Sequence, residues 1–181
     1  MRFFKAFLFG LVGLFLVITL FSLLIPSNVK VARMVVISDT SQKGIYSQIA
    51  DLQNWKNWQN LFMNDSVKII SSSNNANANQ LAVIKYNGKE AKIQVTSIDT
   101  ATVNFTLNIP GENESRNSIQ IQTLSLHNSY QVSWTAITKM KWYPWEKFYA
   151  IFIDKITGPG YESSLNKLKE CVEKGNIRPA K

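Results

Sequence analysis

Hydrophobic and polar positions along the chain fall into three regimes. The first is continuous: Ala6 to Ile25 (AFLFGLVGLFLVITLFSLLI) runs 20 residues without a charge or a strongly polar group. At 1.5 Å per residue such a helix spans a hydrocarbon core of about 30 Å. Pro26, Ser27 and Asn28 then stop the helix. The second regime alternates. Val29–Ile37 is a Val/Ile-rich strand. Val67–Ile70, Leu81–Tyr86, Ala91–Ile98, Val103–Ile109, Ser118–Leu126 and Tyr130–Lys139 follow as further strands. Ala91, Ile93 and Val95 alternate with Lys92, Gln94 and Thr96, as in a sheet with one face buried. Asn87-Gly88 reads as a hairpin turn, Pro110–Asn113 as a turn, and Ser71–Asn79 (SSSNNANAN) as a loop.

Helical spacing is the third regime, and it occurs twice. After the N-cap cluster Ser38-Asp39-Thr40-Ser41, Gly44–Leu52 places Ile45, Ile49 and Leu52 on one face. Asp51 can cap the next segment, in which Trp55, Trp58 and Phe62 lie at i, i+3 and i+7. Near the C-terminus, Glu146–Ile156 is apolar nearly all round. Gly158-Pro159-Gly160 is expected to break the chain. Tyr161–Val172 is then an amphipathic helix with Tyr161, Leu165, Leu168 and Val172 on one stripe, ended by Gly175. The order is a strand, two short helices, six strands and a C-terminal helix. This predicts an α+β domain in which a curved antiparallel sheet wraps on that helix. The expected organisation is residues 1–26 as a transmembrane anchor, 27–176 as one domain and 177–181 as a tail.

The apolar run is longer than the roughly 7–15 residues of a signal-peptide core, and no small-x-small cleavage pattern follows it, so it reads as an uncleaved anchor. Arg2 and Lys5 favour an N-inside topology, which puts the domain on the extracytoplasmic side. Lys30, Arg33 and Lys43 on the other flank weaken that bias. Cys171 is the single cysteine, so no intramolecular disulfide can form. The formal net charge is +8, but the lysines are dispersed and form no block interleaved with base-stacking aromatics. Nucleic acid is not an expected partner. A tethered surface of this charge is mildly attracted to anionic headgroups.

Little here supports catalysis. His127, the only histidine, lies between two strands beside Asn128 and reads as a solvated turn residue. Cys171 flanks the buried stripe of the last helix as a small core thiol. One His and one Cys do not make a zinc site, and no metal or cofactor is expected. Glu112 and Glu114 flank a turn. Asn64, Asn104 and Asn113 begin N-x-[ST] triplets, which arise by chance in an Asn-rich chain. The aromatics carry more. Trp55, Trp58, Phe62, Phe105, Trp134, Tyr149 and Phe152 are either core or the lining of a cavity for an apolar ligand. Trp142, Tyr143, Trp145 and Phe148, with Lys139, Lys141 and Lys147 nearby, are candidates for contact with a membrane. The segment could be a lid resting on the bilayer, or it could be covered on both faces by the sheet and the C-terminal helix.

Three stretches resemble the polyketide cyclase/dehydrase-type branch of the START-like (SRPBCC) superfamily. They are Val35-Val36-Ile37 with Asp51-Leu52-Gln53-Asn54-Trp55-Lys56-Asn57-Trp58; Tyr143-Pro144; and Gly158-Pro159-Gly160-Tyr161-Glu162-Ser163-Ser164-Leu165-Asn166-Lys167-Leu168-Lys169, where Tyr161 replaces the family's Phe. The resemblance covers about Val29 to Lys174. It implies a helix-grip domain with a hydrophobic cavity between sheet and C-terminal helix, and it does not by itself imply cyclase activity. The expected function is therefore a membrane-anchored domain binding a hydrophobic small molecule or lipid. The alternatives are a cyclase- or dehydratase-type enzyme acting on such a ligand, or a protein-interaction module with a filled cavity.

Overall fold

A computed structural model describes residues 2–63, 67–71, 80–86, 88–125 and 128–176. Helix α1 (Arg2–Leu23) is exposed on nearly every side except at its last turn, where Ser22 is buried. The helix is long and apolar enough to cross a membrane. The domain begins at once with strand β1 (Asn28–Ile37) and helix α2 (Gln42–Ala50). Ser41 caps α2, its hydroxyl accepting from the Gly44 N–H at 3.1 Å.

Strands β2 (Val67–Ser71), β3 (Leu81–Tyr86), β4 (Lys89–Ile98), β5 (Thr102–Asn108), β6 (Ser115–Thr123) and β7 (Tyr130–Lys139) form an antiparallel meander. With β1 paired to β7, the seven-stranded order is β1-β7-β6-β5-β4-β3-β2. The first two strands thus sit at opposite edges, and α2 with the turns after it crosses from one edge to the other. Register shifts at Ile69/Ser71 and Val95/Ser97 bend the sheet. Gly88 takes a left-handed φ of +76° at the β3–β4 turn, which a side chain would strain. Asn87, His127, Asn64, most of the Ser71–Asn79 loop and the tail 177–181 lie outside the described residues.

Helix α3 runs unbroken from Pro144 to Asn176. The expected break at Gly158-Pro159-Gly160 does not occur, nor does Gly175 end the helix. One of the two glycines is accounted for by β1. The Arg33 guanidinium occupies the space where a Gly158 Cβ would be, and it makes two hydrogen bonds to Asp154 at 2.9 and 3.0 Å. Gly158 therefore serves a close approach of sheet and helix. Pro159 costs one ladder hydrogen bond, but its ring faces solvent.

The second short helix also differs from expectation. It consists of two 3₁₀ turns, Leu52–Asn57 and Asn60–Phe62. Asp51 does cap the first, accepting from the Gln53 N–H at 2.9 Å. The core between the sheet, α2, these turns and the C-terminal half of α3 is continuous and includes Ile37, Ile45, Ile49, Trp55, Trp58, Phe105, Trp134, Leu165 and Leu168.

Candidate functional site

Inside this core the aromatics form one stack. Trp55 touches Trp58, Phe62 and Phe105 with ring centroids 5.4, 5.3 and 4.8 Å apart, and Trp134 joins through Trp58 at 6.1 Å and Phe105 at 5.9 Å. Their polar tips are satisfied. The indole N–H of Trp55 donates to the Ile49 carbonyl at 3.0 Å, that of Trp58 to the Gln48 carbonyl at 3.1 Å, and that of Trp134 to Asn117 Oδ1 at 3.0 Å. Asn117 in turn donates to the Ser115 carbonyl and Oγ. These five rings are buried between sheet and helix, and none of them lines the open cleft found among the described residues.

The cleft lies further along α3, toward its N-terminal half. It has a volume of about 640 Å³, within the range of small-molecule sites. Leu107 and Ile109, the end of β7 with Thr138 and Met140, and Trp145, Tyr149, Ile153 and Ile156 of α3 supply the walls. Of the aromatics singled out for the cavity, Tyr149 is on this wall. Phe152 is exposed beside it. Trp145, read as a membrane residue, also lines it.

Tyr161 separates the cleft from the aromatic core, its ring 4.7 Å from Trp134. Burial pushes its phenol above the ordinary value, against the opposing hydrogen bond with Thr157, so the hydroxyl is neutral at physiological pH. The turn Asn60–Phe62 is fastened to α3 here. Asn60 Nδ2 donates to the Gly160 carbonyl at 3.1 Å, Ser164 Oγ accepts from the Asn60 N–H at 3.2 Å, and Lys167 Nζ donates to Asn60 Oδ1 at 2.7 Å. At the rim, Asn113 Nδ2 donates to Glu146, tying the β5–β6 loop to the first turn of α3. The ties of Asn60 to Gly160, Ser164 and Lys167 escaped sequence reasoning because their signal is purely tertiary.

The remaining membrane candidates cluster at the start of α3. Tyr143 stacks on Trp145 at 5.0 Å with planes 11° apart, and Trp142 lies 4.9 Å from Tyr143. Trp142, Trp145 and Phe148 are exposed, as are Tyr149, Ile151, Phe152 and Ile156. The possibility that both faces of this segment are covered does not hold, because the unbroken helix carries its own C-terminal half away along the axis rather than folding it back. Lys147 also departs from expectation. It is 3% exposed, and its Nζ donates to the Ile25 carbonyl at 2.8 Å and to Ser27 Oγ at 2.7 Å. Its charge is spent on the segment after α1 and does not face headgroups.

Cys171 is half-buried, and burial raises its thiol pKa, so it stays protonated. Asn104 sits inside β5, bonded to Ser97 Oγ at 2.8 Å. Among the described residues, no three His, Cys, Asp or Glu side chains converge as metal ligands.

A curved antiparallel sheet closed on a long C-terminal helix, with a cleft beside that helix, is the helix-grip, START-like fold. No protein-family model and no curated protein matches the chain. Solved structures do match its fold. The Zhui aromatase/cyclase from Streptomyces sp. R1128 has a TM-score of 0.63 at 14% identity, covering 83% of this chain and 96% of that one. A START superfamily protein from Mycobacterium smegmatis has a TM-score of 0.58 at 15% identity, covering 81% and 98%. A protein from Nitrosospira multiformis has a TM-score of 0.62 at 12% identity, covering 82% and 99%. Identities this low establish a shared fold and nothing finer.

Proposed function

We propose that the chain is a membrane-tethered START-like domain that takes up a hydrophobic small molecule or lipid in the cleft beside α3, without catalysing a reaction on it. The observation that carries this reading is the cleft itself. Leu107, Ile109, Met140, Tyr149, Ile153 and Ile156 give it an apolar wall, and polar side chains, among them Gln59, Asn60, Asn113, Thr138 and Thr157, share the lining and can orient a ligand. The buried aromatic cluster lies beside it and contributes none of its five rings to the lining, so the cleft is distinct from that cluster. Among the described residues its titratable lining is Glu112, Glu146, Tyr149 and Tyr161. Glu146 is engaged by Asn113, and Tyr161 is held neutral. That set favours binding over acid–base chemistry. The apolar, exposed α1 is the tether, and Arg2 and Lys5 favour placing the domain on the extracytoplasmic side.

The test is organic extraction of the purified full chain followed by mass spectrometry. A stoichiometric apolar compound is expected from the native protein and not from a Thr138→Trp variant, whose indole would fill the cleft. Finding no such compound, or finding it equally in both proteins, would refute the cleft as its site. Carbonate washing of membranes tests the tether, since a protein released into the wash is not anchored by α1.

A further inference from the structure

The exposed apolar surface on the N-terminal half of α3 is not explained by the cleft alone. Trp145, Phe148, Phe152 and Ile156 fall on successive turns of its outward flank, with Ile151 beside them, and all are exposed. From Trp145 to Ile156 the strip is about 16 Å long at the rise of an α-helix. An apolar area of this size on a folded domain marks a contact surface.

Its position relative to α1 says what it contacts. Lys147, in the first turns of α3, is hydrogen-bonded to Ile25 and Ser27, the residues immediately after α1. The Met140 N–H donates to the Ser27 carbonyl at 2.7 Å, so the same short segment is gripped from the end of β7 as well. Val31, Met140, Ala150 and Ile153 pack with Ile25 and Val29 beneath it. The strip is thus held within a few residues of the point where the apolar helix ends.

We infer that the outward apolar flank of α3 between Trp145 and Ile156 lies in the headgroup–acyl boundary of the bilayer that α1 enters, and that Lys147 fixes it there. This rests on the tethered reading and adds the orientation of the domain and the source of its ligand. Composition agrees. Trp142 and Tyr143 flank the strip with the amphipathic rings favoured at interfaces. Lys139, Lys141 and Lys155 are exposed around it and Asp154 is paired with Arg33, while Glu112, Glu114 and Glu146 bring negative charge to the cleft end of the strip. Trp145 and Ile156 belong both to the strip and to the cleft wall, so an apolar molecule can pass from bilayer to cleft without crossing water.

The five tryptophans supply the probe. Trp55, Trp58 and Trp134 are buried, Trp142 and Trp145 are each 63% exposed, and α1 contains none. The full chain is reconstituted into vesicles of phosphatidylcholine and phosphatidylglycerol, with and without bromine on the acyl chains. Insertion of α1 alone brings no indole to the bromines. We expect brominated lipid to dim the native protein's emission, and a Trp142→Phe/Trp145→Phe variant to lose most of that quenching. Absent quenching in the native protein, or undiminished quenching in the double variant, would overturn the proposal. A concentration-dependent dimer without quenching would assign the strip to a second copy and overturn it as well. A Lys147→Met variant is expected to stay membrane-bound yet lose much of the quenching; full retention would overturn the part assigned to Lys147. Normal quenching with no extractable ligand would defeat only the cleft reading, and release of the native protein by carbonate would defeat the tether beneath both.

Discussion

Replacing Trp58 by alanine tests whether the aromatic stack is packed core. The ring is fully buried, and it meets Trp55 at 5.4 Å and Trp134 at 6.1 Å in tilted and edge-on geometry. Truncating a buried Trp or Phe to Ala costs about 3–5 kcal/mol, combining lost transfer energy and the cavity left behind. Aromatic pairs contribute roughly 0.5–1.5 kcal/mol each within that total. The indole N–H bond to the Gln48 carbonyl is worth about 1 kcal/mol more, but Gln48 is only half-buried, and water can replace the donor. A loss of about 3–5 kcal/mol is therefore expected, a large share of the roughly 5–15 kcal/mol that stabilises a typical domain. Trp145→Ala, at an exposed site, should stay within about 0.5 kcal/mol. Urea unfolding of the full chain in mild detergent, followed by far-ultraviolet circular dichroism, measures both through the shift in midpoint at constant slope. A Trp58→Ala cost below about 1 kcal/mol would refute the packed stack, and equal costs at the two sites would refute the division of tryptophans into core and surface.

Gly158→Ala removes an unfavourable helix residue and should gain up to about 1 kcal/mol, but only where the new methyl has room. In the native background it must displace the Arg33 guanidinium and disrupt its pair with Asp154, so we expect little or no gain; in an Arg33→Ala background the gain should appear. Equal gains in both, by the same urea assay, would show that the close approach imposes nothing. Asp154 gives a pH signature. The hydrogen bond from Arg33 lowers its pKa below the usual carboxylate value near 3.8, so its contribution is present above that pH and is lost as pH falls through the lower folded-state value. The stability difference between native protein and Asp154→Asn should therefore be visible at neutral pH and close below about pH 4, and a difference independent of pH would contradict the pairing.

The sheet could be read from the chain almost strand by strand, because period-2 alternation over Ala91–Ile98 or Tyr130–Lys139 depends only on which face is buried. Helical spacing was less decisive. Trp55 and Trp58 are three apart, a separation that a 3₁₀ turn satisfies as well as an α-helix. Gly158-Pro159-Gly160 carries a local stop signal, yet the helix runs through it, and Gly158 instead leaves space for Arg33, 125 residues earlier in the chain, a need that no local pattern reveals. The aromatic surplus was visible, but not its division. Burial of Trp134 and exposure of Trp145 depend on where α3 crosses the sheet. The cleft was least legible, since Asn60, Asn113, Met140 and Tyr149 come from four separate segments and share no spacing.

Lys147 also bears on how the molecule can be divided. The sequence places a boundary after residue 26, yet the two oxygens that receive its ammonium belong to Ile25 on one side of that cut and Ser27 on the other. A soluble fragment trimmed there would keep a buried cation and discard half of its acceptors, a defect of about 1–3 kcal/mol introduced by the truncation itself. Fragments made for crystallisation or ligand screening should therefore start a few residues earlier, at the end of α1, or carry methionine in place of Lys147.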